Sequence, residues 1–567
     1  MLSNTDNIDI LVKILKESSI TSIVISPGGT NIAFVKKVQD DSEFTCYSVV
    51  DERSAAYFAI GLYLQTGKPV ALCCTSAQAT RNYVPGLTEA FYKRVPLLAI
   101  SMMKHPRFTY QEYMQAPDQP SLPNDCVKQS YVLPYISDIN DVYESIRVVN
   151  QAILELQHNG MGPVQLCVPW LDFPLKPIRP RLRIINRVEL TEKWELELDG
   201  KKILIVVGEH RPFSHSETGA IERFCQRYDC VVYANLLSNF HSKKCIAATN
   251  LLMTSLDDEH FERLMPDIVI SIGGQTGDYP LYRRLSRAEY KNTEHWRVSQ
   301  DGNVVDTYDK LTKVFQCREV DFFTKAAGSE SKDTPSRNYA SQWMNVAKQL
   351  STSVKVPFSN VSIAQFLAPL IPAHSVVQLS ILNSLRVWDL FEFDETISFY
   401  SNVGAFGIDG GMSTLIGQSF ATESLCFMII GDLAFLYDMN SLSIRGIRNN
   451  VRIVLINNNG GIEFKLGTGH DDSTDRYIAA GGHFRTAEGW AKSCGFIYFA
   501  AHSMDEFETV CESGFLRESS KPMLIEAFVS DDCESEAYRY LVDSNRIQST
   551  AESIKAEVKK QIKRLLK

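Results

Sequence analysis

Long apolar runs are absent from this 567-residue sequence, since none approaches the roughly 20 residues that a membrane-spanning helix needs. Net positive charge is absent as well, because the formal net charge of −9 gives no basic footprint for nucleic acid or an anionic membrane surface. The thirteen cysteines include no Cys-x-x-Cys pair, which favours reduced thiols in a protein core. Charged residues interrupt the first 20 positions, as in an amphipathic helix and not a secretory signal. We therefore expect a cytoplasmic protein with no membrane span and no nucleic-acid partner.

A Gly-x-Gly-x-x-Gly fingerprint is also absent, which argues against an NAD- or nucleotide-binding α/β enzyme. Short β-rich apolar runs alternate with longer helical stretches, and this predicts an α/β fold with parallel sheets. Proline-rich residues 172–183 and polar residues 326–337 divide the chain. We predict three doubly wound parallel-sheet domains, at residues 1–183, 184–337 and 338–567. The predicted strands are Ile23–Ser26, Val70–Cys74, Leu97–Ile100, Val164–Val168, Ile203–Val207, Cys230–Tyr233, Ile268–Ile272, Val376–Leu379, Cys426–Ile430, Ile453–Ile456 and Met523–Ala527.

The strongest chemical signal lies in two segments of the third predicted domain. One is a buried strand that ends in Gly431-Asp432, and the other ends in the run Asn457–Gly461. Because ligands bind at the carboxyl ends of parallel strands, both ends should face one crevice. The Asp432 carboxylate, the Asn458 amide oxygen and the Gly460 carbonyl are oxygen ligands that suit Mg²⁺. Either segment alone is also typical of an ordinary turn, so the prediction depends on finding both.

A second signal lies in the first predicted domain. Asp51-Glu52-Arg53 opens a helix of small and apolar residues. Taken alone, acidic residues at a helix N-terminus are explained by the helix dipole. Together with the Gly-Asp and Asn-Asn segments, however, the chain resembles the thiamine-diphosphate-dependent enzymes. The resemblance implies that Glu52 hydrogen-bonds the pyrimidine ring of the cofactor, acting on the site of a neighbouring subunit.

The same resemblance implies a pyrimidine, middle and diphosphate order for the three domains. It also implies thiamine diphosphate with Mg²⁺, or Mn²⁺, held by Asp432, Asn458 and Gly460, and a homo-oligomer, either a dimer or a dimer of dimers. Ile408 would be the apolar wedge that bends the cofactor. The cofactor-binding residues it implies are Glu52, Ser76, Asn82, Gly407, Ile408, Gly431, Leu433, Ala434, Asn458 and Ile462.

Within that superfamily the chain most closely resembles 2-succinyl-5-enolpyruvyl-6-hydroxy-3-cyclohexene-1-carboxylate synthases, the menaquinone-biosynthetic branch. The resemblance covers the whole length and is densest at Ser26–Gly28, Asp51–Arg53, Ser401–Gly410 and Gly431–Asn440, ending in Asn457–Gly461. It implies Glu52, Gln115 and Ser384 as catalytic residues.

Four arginine positions of that branch are changed in this sequence. Thr30, Lys104, Trp388 and Val403 stand where the branch has arginine, and Glu463 occupies an otherwise apolar position before Phe464. Arginine binds carboxylates bidentately, so these changes predict weaker binding of substrates with several carboxylates. Compensation by Arg81, Arg107 or Arg386 stays open. The predicted substrate-contacting residues are Thr30, Lys104, Gln115, Ser384, Trp388, Val403, Glu463 and Phe464.

We expect an enzyme that decarboxylates a 2-oxo acid and transfers the resulting acyl-anion equivalent to a carbonyl or enoyl acceptor. The absence of a His-His pair favours such carboligation over simple decarboxylation. Three alternatives stay open: the synthase reaction itself, with 2-oxoglutarate and isochorismate; a simple 2-oxo acid decarboxylase; and a non-catalytic thiamine-fold protein.

Overall fold

The computed structural model describes residues 5–170, 184–246, 248–287, 289–290, 292–328, 338–466 and 477–547. These residues form three six-stranded sheets. Neighbouring strands are parallel throughout the described pairings. The predicted α/β fold of three parallel sheets is therefore confirmed. Within the described part of the chain, no helix has the length and apolar character of a membrane span.

Each sheet is built from consecutive strands of one part of the chain. The first contains β1 to β6, in the order β2-β1-β3-β4-β6-β5, with bounds Ser22–Ile25, Thr45–Ser48, Val70–Cys74, Leu97–Met103, Ser130–Val132 and Val164–Pro169. The second contains β7 to β12, in the order β7-β12-β11-β10-β8-β9, with bounds Asn186–Glu189, Ile203–Val207, Val231–Ala234, Ile268–Ile272, Glu294–Val298 and Leu311–Gln316. The third contains β13 to β18, in the order β14-β13-β15-β16-β18-β17, with bounds Val376–Leu379, Ser398–Tyr400, Cys426–Gly431, Val451–Asn457, Ile497–Ala501 and Met523–Phe528.

Helices alternate with these strands along the chain. In chain order the described helices α1 to α19 are Thr5–Glu17, Ile32–Gln39, Glu52–Thr66, Gln78–Asn82, Val84–Lys93, Ile139–Glu155, His215–Tyr228, Thr249–Ser255, Asp258–Leu264, Tyr279–Leu285, Glu319–Ala327, Tyr339–Ala347, Asn360–Leu367, Asn383–Trp388, Gly411–Ser419, Asp432–Asp438, Glu488–Ser493, Met504–Val510 and Asp531–Ser544.

Both faces of the first sheet are covered, and β3 shows how. Val70, Leu72 and Cys74 belong to one apolar cluster, with residues of α3 and α5. Ala71 and Cys73 belong to another, with residues of α1, α2 and α6. Successive side chains of a strand point to opposite faces of the sheet, so the central strands are buried on both sides and their sequences are continuously apolar.

The predicted domain boundaries stay predictions. The two stretches on which they rest, residues 172–183 and most of 326–337, lie outside the described residues. On either side of them, the first sheet ends at Pro169, the second spans Asn186–Gln316 and the third starts at Val376.

The carboxyl ends of the first and third sheets face each other, and this positions the candidate site. Loops after β1 to β4 come from one side, and loops after β13 to β16 from the other. This is the edge at which ligands bind in open α/β sheets.

Candidate active site

A cavity of about 770 Å³ lies between the two facing sheet ends. This volume is within the ordinary range of ligand-binding clefts. Most of the residues predicted from the sequence line it: Thr30, Glu52, Ser76, Asn82, Lys104, Gln115, Ser384, Gly407, Ile408, Gly431, Asp432, Leu433, Ala434, Asn458, Gly460, Ile462, Glu463 and Phe464.

Glu52 is held at the cavity wall as the first residue of α3. Asp51 caps this helix by accepting a hydrogen bond from the Arg53 backbone N–H at 2.8 Å, as N-cap residues do. Glu52 is only 2 % exposed, and burial raises the pKa of its carboxyl to about 8 because the charged form loses its hydration. Its Oε2 accepts hydrogen bonds from the Tyr437 hydroxyl at 2.9 Å and the Asn82 amide at 3.5 Å. The cavity is thus faced by a carboxyl that holds its proton at neutral pH.

The contact between Glu52 and Tyr437 joins the first and third sheets within one chain. The Tyr437 hydroxyl also contacts the Val50 carbonyl oxygen, and Val50 packs with Leu433 and Ala480. These contacts place Glu52 beside the third sheet of its own chain. The expectation that Glu52 acts on the site of a neighbouring subunit stays a prediction. The homo-oligomer stays a prediction.

Asp432 and Asn458 follow neighbouring strands, β15 and β16, as their positions in the sequence predict. The Asp432 carboxylate accepts hydrogen bonds from the backbone N–H groups of Leu433 at 2.7 Å and Gly460 at 2.9 Å. Asn458 Oδ1 is buried and accepts no hydrogen bond from the described residues. A buried amide oxygen without a donor beside a buried carboxylate is suited to a cation. The Gly460 carbonyl accepts from Ile462 N–H at 3.0 Å and keeps a second lone pair.

Few side chains beside Asp432 and Asn458 could coordinate a metal ion. Within the described residues there is no cluster of three His, Cys, Asp or Glu side chains that could hold a metal ion. Mg²⁺ commonly takes one or two carboxylates and completes its coordination with phosphate and water oxygens. A cation beside Asp432 and Asn458 would therefore need further oxygen ligands from outside the protein, such as phosphate and water oxygens.

Two glycines allow loops at the cavity to approach closely, within the first sheet at Gly28 and between the first and third sheets at Gly407. A Cβ on Gly28 would lie 2.2 Å from Thr75 Cβ, and one on Gly407 would lie 2.2 Å from Asp409 Oδ1 and 2.8 Å from Gln78 Cβ. No larger residue fits either position without movement. Ile408, next to Gly407, is partly buried against apolar side chains of the third sheet while lining the cavity.

The other end of the cavity carries the residues predicted to contact substrate. Gln115 Oε1 accepts a hydrogen bond from the Tyr279 hydroxyl at 3.0 Å. The Lys104 ammonium lies 4.3 Å from the centroid of the Trp170 ring, a cation–π distance. Arg386 donates two hydrogen bonds to the Glu463 carboxylate, at 2.7 and 2.9 Å. Burial disfavours the guanidinium charge, yet Glu463 holds the pKa of Arg386 above its ordinary range.

Two predicted substrate residues lie elsewhere. Trp388 is fully buried and its Nε1 donates to Asn360 Oδ1 at 2.9 Å. Val403 is also fully buried, in the apolar cluster that joins the second and third sheets. Neither lines the cavity, so the prediction that these two side chains contact substrate is wrong. Both side chains pack inward at positions where the resemblance implies an arginine.

Of the three arginines considered as compensation, the structure places only Arg386 on the cavity. Arg81 donates to the backbone carbonyls of Asp118 and Ser121. Arg107 pairs with Asp309 at 2.8 Å, where both side chains are largely exposed.

Sequence reasoning missed several residues of the cavity wall. Tyr437 lies five positions after Asp432, close enough to have been considered with that motif. Tyr279 and Arg283 come from α10, which lies between β10 and β11 of the second sheet, and Tyr538 from α19. These three belong to no motif, so only the arrangement of domains reveals them.

The cavity fits thiamine diphosphate and a divalent cation. The buried Asn458 Oδ1 and Ser76 Oγ make no hydrogen bond with the described residues, so each is available to a ligand. The buried carboxyl of Glu52 lies on the side of the cavity formed by the first sheet. Asp432 lies on the side formed by the third sheet. This is the placement that a pyrimidine at one end and a diphosphate at the other require.

Comparison with known proteins agrees with this geometry. Residues 7–122 match the model of the N-terminal thiamine-pyrophosphate-binding domain of thiamine pyrophosphate enzymes. Three similar proteins are all 2-succinyl-5-enolpyruvyl-6-hydroxy-3-cyclohexene-1-carboxylate synthases. The one from Phocaeicola vulgatus is 33 % identical over 560 residues, covering 95 % of this chain and 98 % of the relative. The one from Bacteroides fragilis is 32 % identical, covering 94 % and 97 %.

The synthase from Flavobacterium psychrophilum is 30 % identical, covering 91 % of this chain and 95 % of the relative. Near-complete coverage on both sides means that the similarity includes all three sheets and the cavity between them. The chain therefore belongs to the 2-succinyl-5-enolpyruvyl-6-hydroxy-3-cyclohexene-1-carboxylate synthase family of thiamine-diphosphate-dependent enzymes.

Proposed function

We propose that this enzyme uses thiamine diphosphate and Mg²⁺ to decarboxylate a 2-oxo acid and to transfer the resulting two- or four-carbon unit to an acceptor. The observation that carries the proposal is the placement of Glu52 opposite Asp432 and Asn458 on one cavity. A pyrimidine partner and a cation site in that relation match what a bound thiamine diphosphate needs.

Each residue has a distinct task in this proposal. Glu52 holds and returns a proton at the pyrimidine nitrogen, and Tyr437 and Asn82 orient its carboxyl. Asp432, Asn458 and the Gly460 carbonyl hold Mg²⁺, or Mn²⁺, against the diphosphate. The apolar side chains of Ile408, Leu433, Ala434 and Ile462, with Gly407, Gly431 and Ser76, orient the cofactor and exclude water. The bound cofactor supplies the carbanion chemistry, and the protein selects what reaches it.

Substrate recognition falls to Thr30, Lys104, Gln115, Ser384, Glu463 and Phe464. The wall near them carries three cationic groups, at Lys104, Arg283 and Arg386, and Arg386 is neutralised by Glu463. We infer a small 2-oxo acid donor such as pyruvate, with 2-oxoglutarate as the alternative if Lys104 supplies the lost charge. The acceptor carries fewer carboxylates than isochorismate, and a hydroxylated aldehyde suits Glu463 as a hydrogen-bond acceptor.

The synthase reaction itself, with 2-oxoglutarate and isochorismate, is the second candidate. Two observations favour it: the relatives that cover nearly the whole chain carry that name, and Arg283 brings to the cavity a cationic side chain that the motifs do not include. We further propose a homo-oligomer in the cytoplasm.

Carbon dioxide release from a panel of 2-oxo acids tests the proposal, with and without isochorismate and hydroxylated aldehydes, followed by mass spectrometry of the products. We expect release from pyruvate and a ligated product with an aldehyde acceptor. Efficient conversion of 2-oxoglutarate with isochorismate would favour the second candidate. Free aldehyde as the sole product would indicate a simple decarboxylase.

A further inference from the structure

Arg386 and Glu463 form an ion pair on the substrate end of the cavity. Arg386 lies on α14, and Glu463 lies in the short turn Ile462–Phe464 after β16. Two N–H groups of the guanidinium donate to the two carboxylate oxygens, at 2.7 and 2.9 Å. The two side chains are 16 % and 30 % exposed, and both line the cavity. The pair is therefore accessible from the cavity while being largely shielded from bulk solvent.

Glu463 occupies the two N–H groups of Arg386 that could otherwise bind a substrate carboxylate. Arginine recognises carboxylates through two parallel N–H groups, and Glu463 already accepts from such a pair. Tyr538 lies on another side, with its ring centroid 5.8 Å from the guanidinium carbon. The buried Asp278 carboxyl also acts on Arg386 electrostatically. A second carboxylate would have to displace Glu463 and then lie beside its like charge.

The two other cationic groups of the wall are held differently. Lys104 lies over the Trp170 ring, and Arg283 lies 5.9 Å from the centroid of the Tyr279 ring. Aromatic faces attract a cation without neutralising its charge. Arg283 thus keeps its charge for one substrate carboxylate, whereas Arg386 shares its charge with Glu463.

We propose that Glu463 determines donor specificity by blocking Arg386 as a carboxylate anchor, so that the enzyme favours monocarboxylic 2-oxo acids over dicarboxylic ones. This inference rests on the proposed function and names its substrate class. The block depends on the negative charge of Glu463, and removing that charge opens the anchor.

Calorimetric binding of glutarate to the cofactor-free protein tests the block without requiring turnover. In Glu463→Gln the side chain keeps its length and an acceptor oxygen but loses its charge, so glutarate should bind at least ten-fold more tightly than to the wild type. The gain should vanish in the double variant with Arg386→Gln. Glu488→Gln is the matched control, since it removes a carboxylate from an exposed pair with Lys492 at 2.6 Å, and it should bind glutarate as the wild type does.

In the holoenzyme, Glu463→Gln should raise the ratio of kcat/KM for 2-oxoglutarate to that for pyruvate by at least ten-fold, through KM. Unchanged glutarate affinity in Glu463→Gln overturns the proposal, as does a gain that survives in the double variant. Tight glutarate binding by the wild type that Arg386→Gln abolishes also overturns it. If the binding results hold but no 2-oxo acid releases carbon dioxide, the proposed function fails and the blocking role of Glu463 stands.

Discussion

Glu52→Gln should stabilise the cofactor-free protein at alkaline pH while slowing the chemistry of the loaded enzyme. Burial moves the pKa of Glu52 from 4.5 to about 8, and each ten-fold change in acidity corresponds to about 1.4 kcal/mol. Ionising this carboxyl in the native protein therefore costs roughly 5 kcal/mol, as an order of magnitude. Glutamine has nearly the same size, can still accept from the Tyr437 hydroxyl, and never ionises.

The sign of the pH dependence follows from proton binding. Between pH 4.5 and about 8 the native state holds a proton on Glu52 that the unfolded chain has released, so stability falls as pH rises. The contribution of protonated Glu52 to the free energy of unfolding is fully present below pH 4.5 and is lost by about pH 8. Asp389 and Glu534, whose pKa values burial raises to about 7, act equally in both proteins and cancel in the difference.

Thermal unfolding of the cofactor-free wild type and variant from pH 5 to 9 measures this difference. The stability gained by Glu52→Gln should grow with pH, reach roughly 3 kcal/mol at pH 7, and level off above pH 8. Deuterium exchange at C2 of bound thiamine diphosphate should slow greatly in the same variant. A difference that is constant with pH, or a variant less stable than the wild type at pH 8, would refute the reasoning about burial. Unchanged exchange would remove Glu52 from the mechanism.

Three further predictions concern the metal, the loops and the assembly. Asp432→Ala should lose Mg²⁺-dependent retention of thiamine diphosphate, and equal affinity with and without chelator in both wild type and variant would contradict the assigned ligand. Gly407→Ala should weaken cofactor binding at least ten-fold because its Cβ would lie 2.8 Å from Gln78 Cβ. Gly404→Ala is the control, since its Cβ would meet nothing within 4 Å, and equal losses in both would point to general loop damage. Sedimentation of the holoenzyme should give at least twice the 63.9 kDa chain mass, and an active single chain would exclude the oligomer.

The strands that the sequence predicted are mostly those at the centres of the sheets. Every residue of β3, β4, β6 and β8 is buried, so their apolar runs are continuous and easily found. Five of the six edge strands, β2, β5, β7, β14 and β17, were not predicted. In β7, Asn186–Glu189, three of the four residues are exposed, because an edge strand is paired and covered on fewer sides. β11 and β12 carry charged residues at Glu294, Arg297 and Lys313 that conceal an apolar pattern.

The candidate site was predictable where residues closely follow strands, as Asp432 and Asn458 do, and the position of Trp388 on α14 was not. Asp432 and Asn458 come directly after neighbouring parallel strands. The pairing of these two strands is therefore sufficient to bring the two residues together. The distance between Trp388 and the cavity depends instead on the rotation of α14, and that rotation is set by packing against Asn360 and the core. Arg386, two positions earlier on α14, faces the cavity because it lies on a different side of the helix.

Decarboxylation of a 2-oxo acid with thiamine diphosphate is the activity on which the proposed function depends. Carbon dioxide released from pyruvate by the purified protein, with thiamine diphosphate and Mg²⁺ and with the Glu52→Gln variant in parallel, tests it most directly. We expect release by the wild type that requires both additions and falls at least a hundred-fold in the variant. Carbon dioxide release from neither pyruvate nor 2-oxoglutarate by wild-type protein that has bound the cofactor, with or without an acceptor, would contradict it.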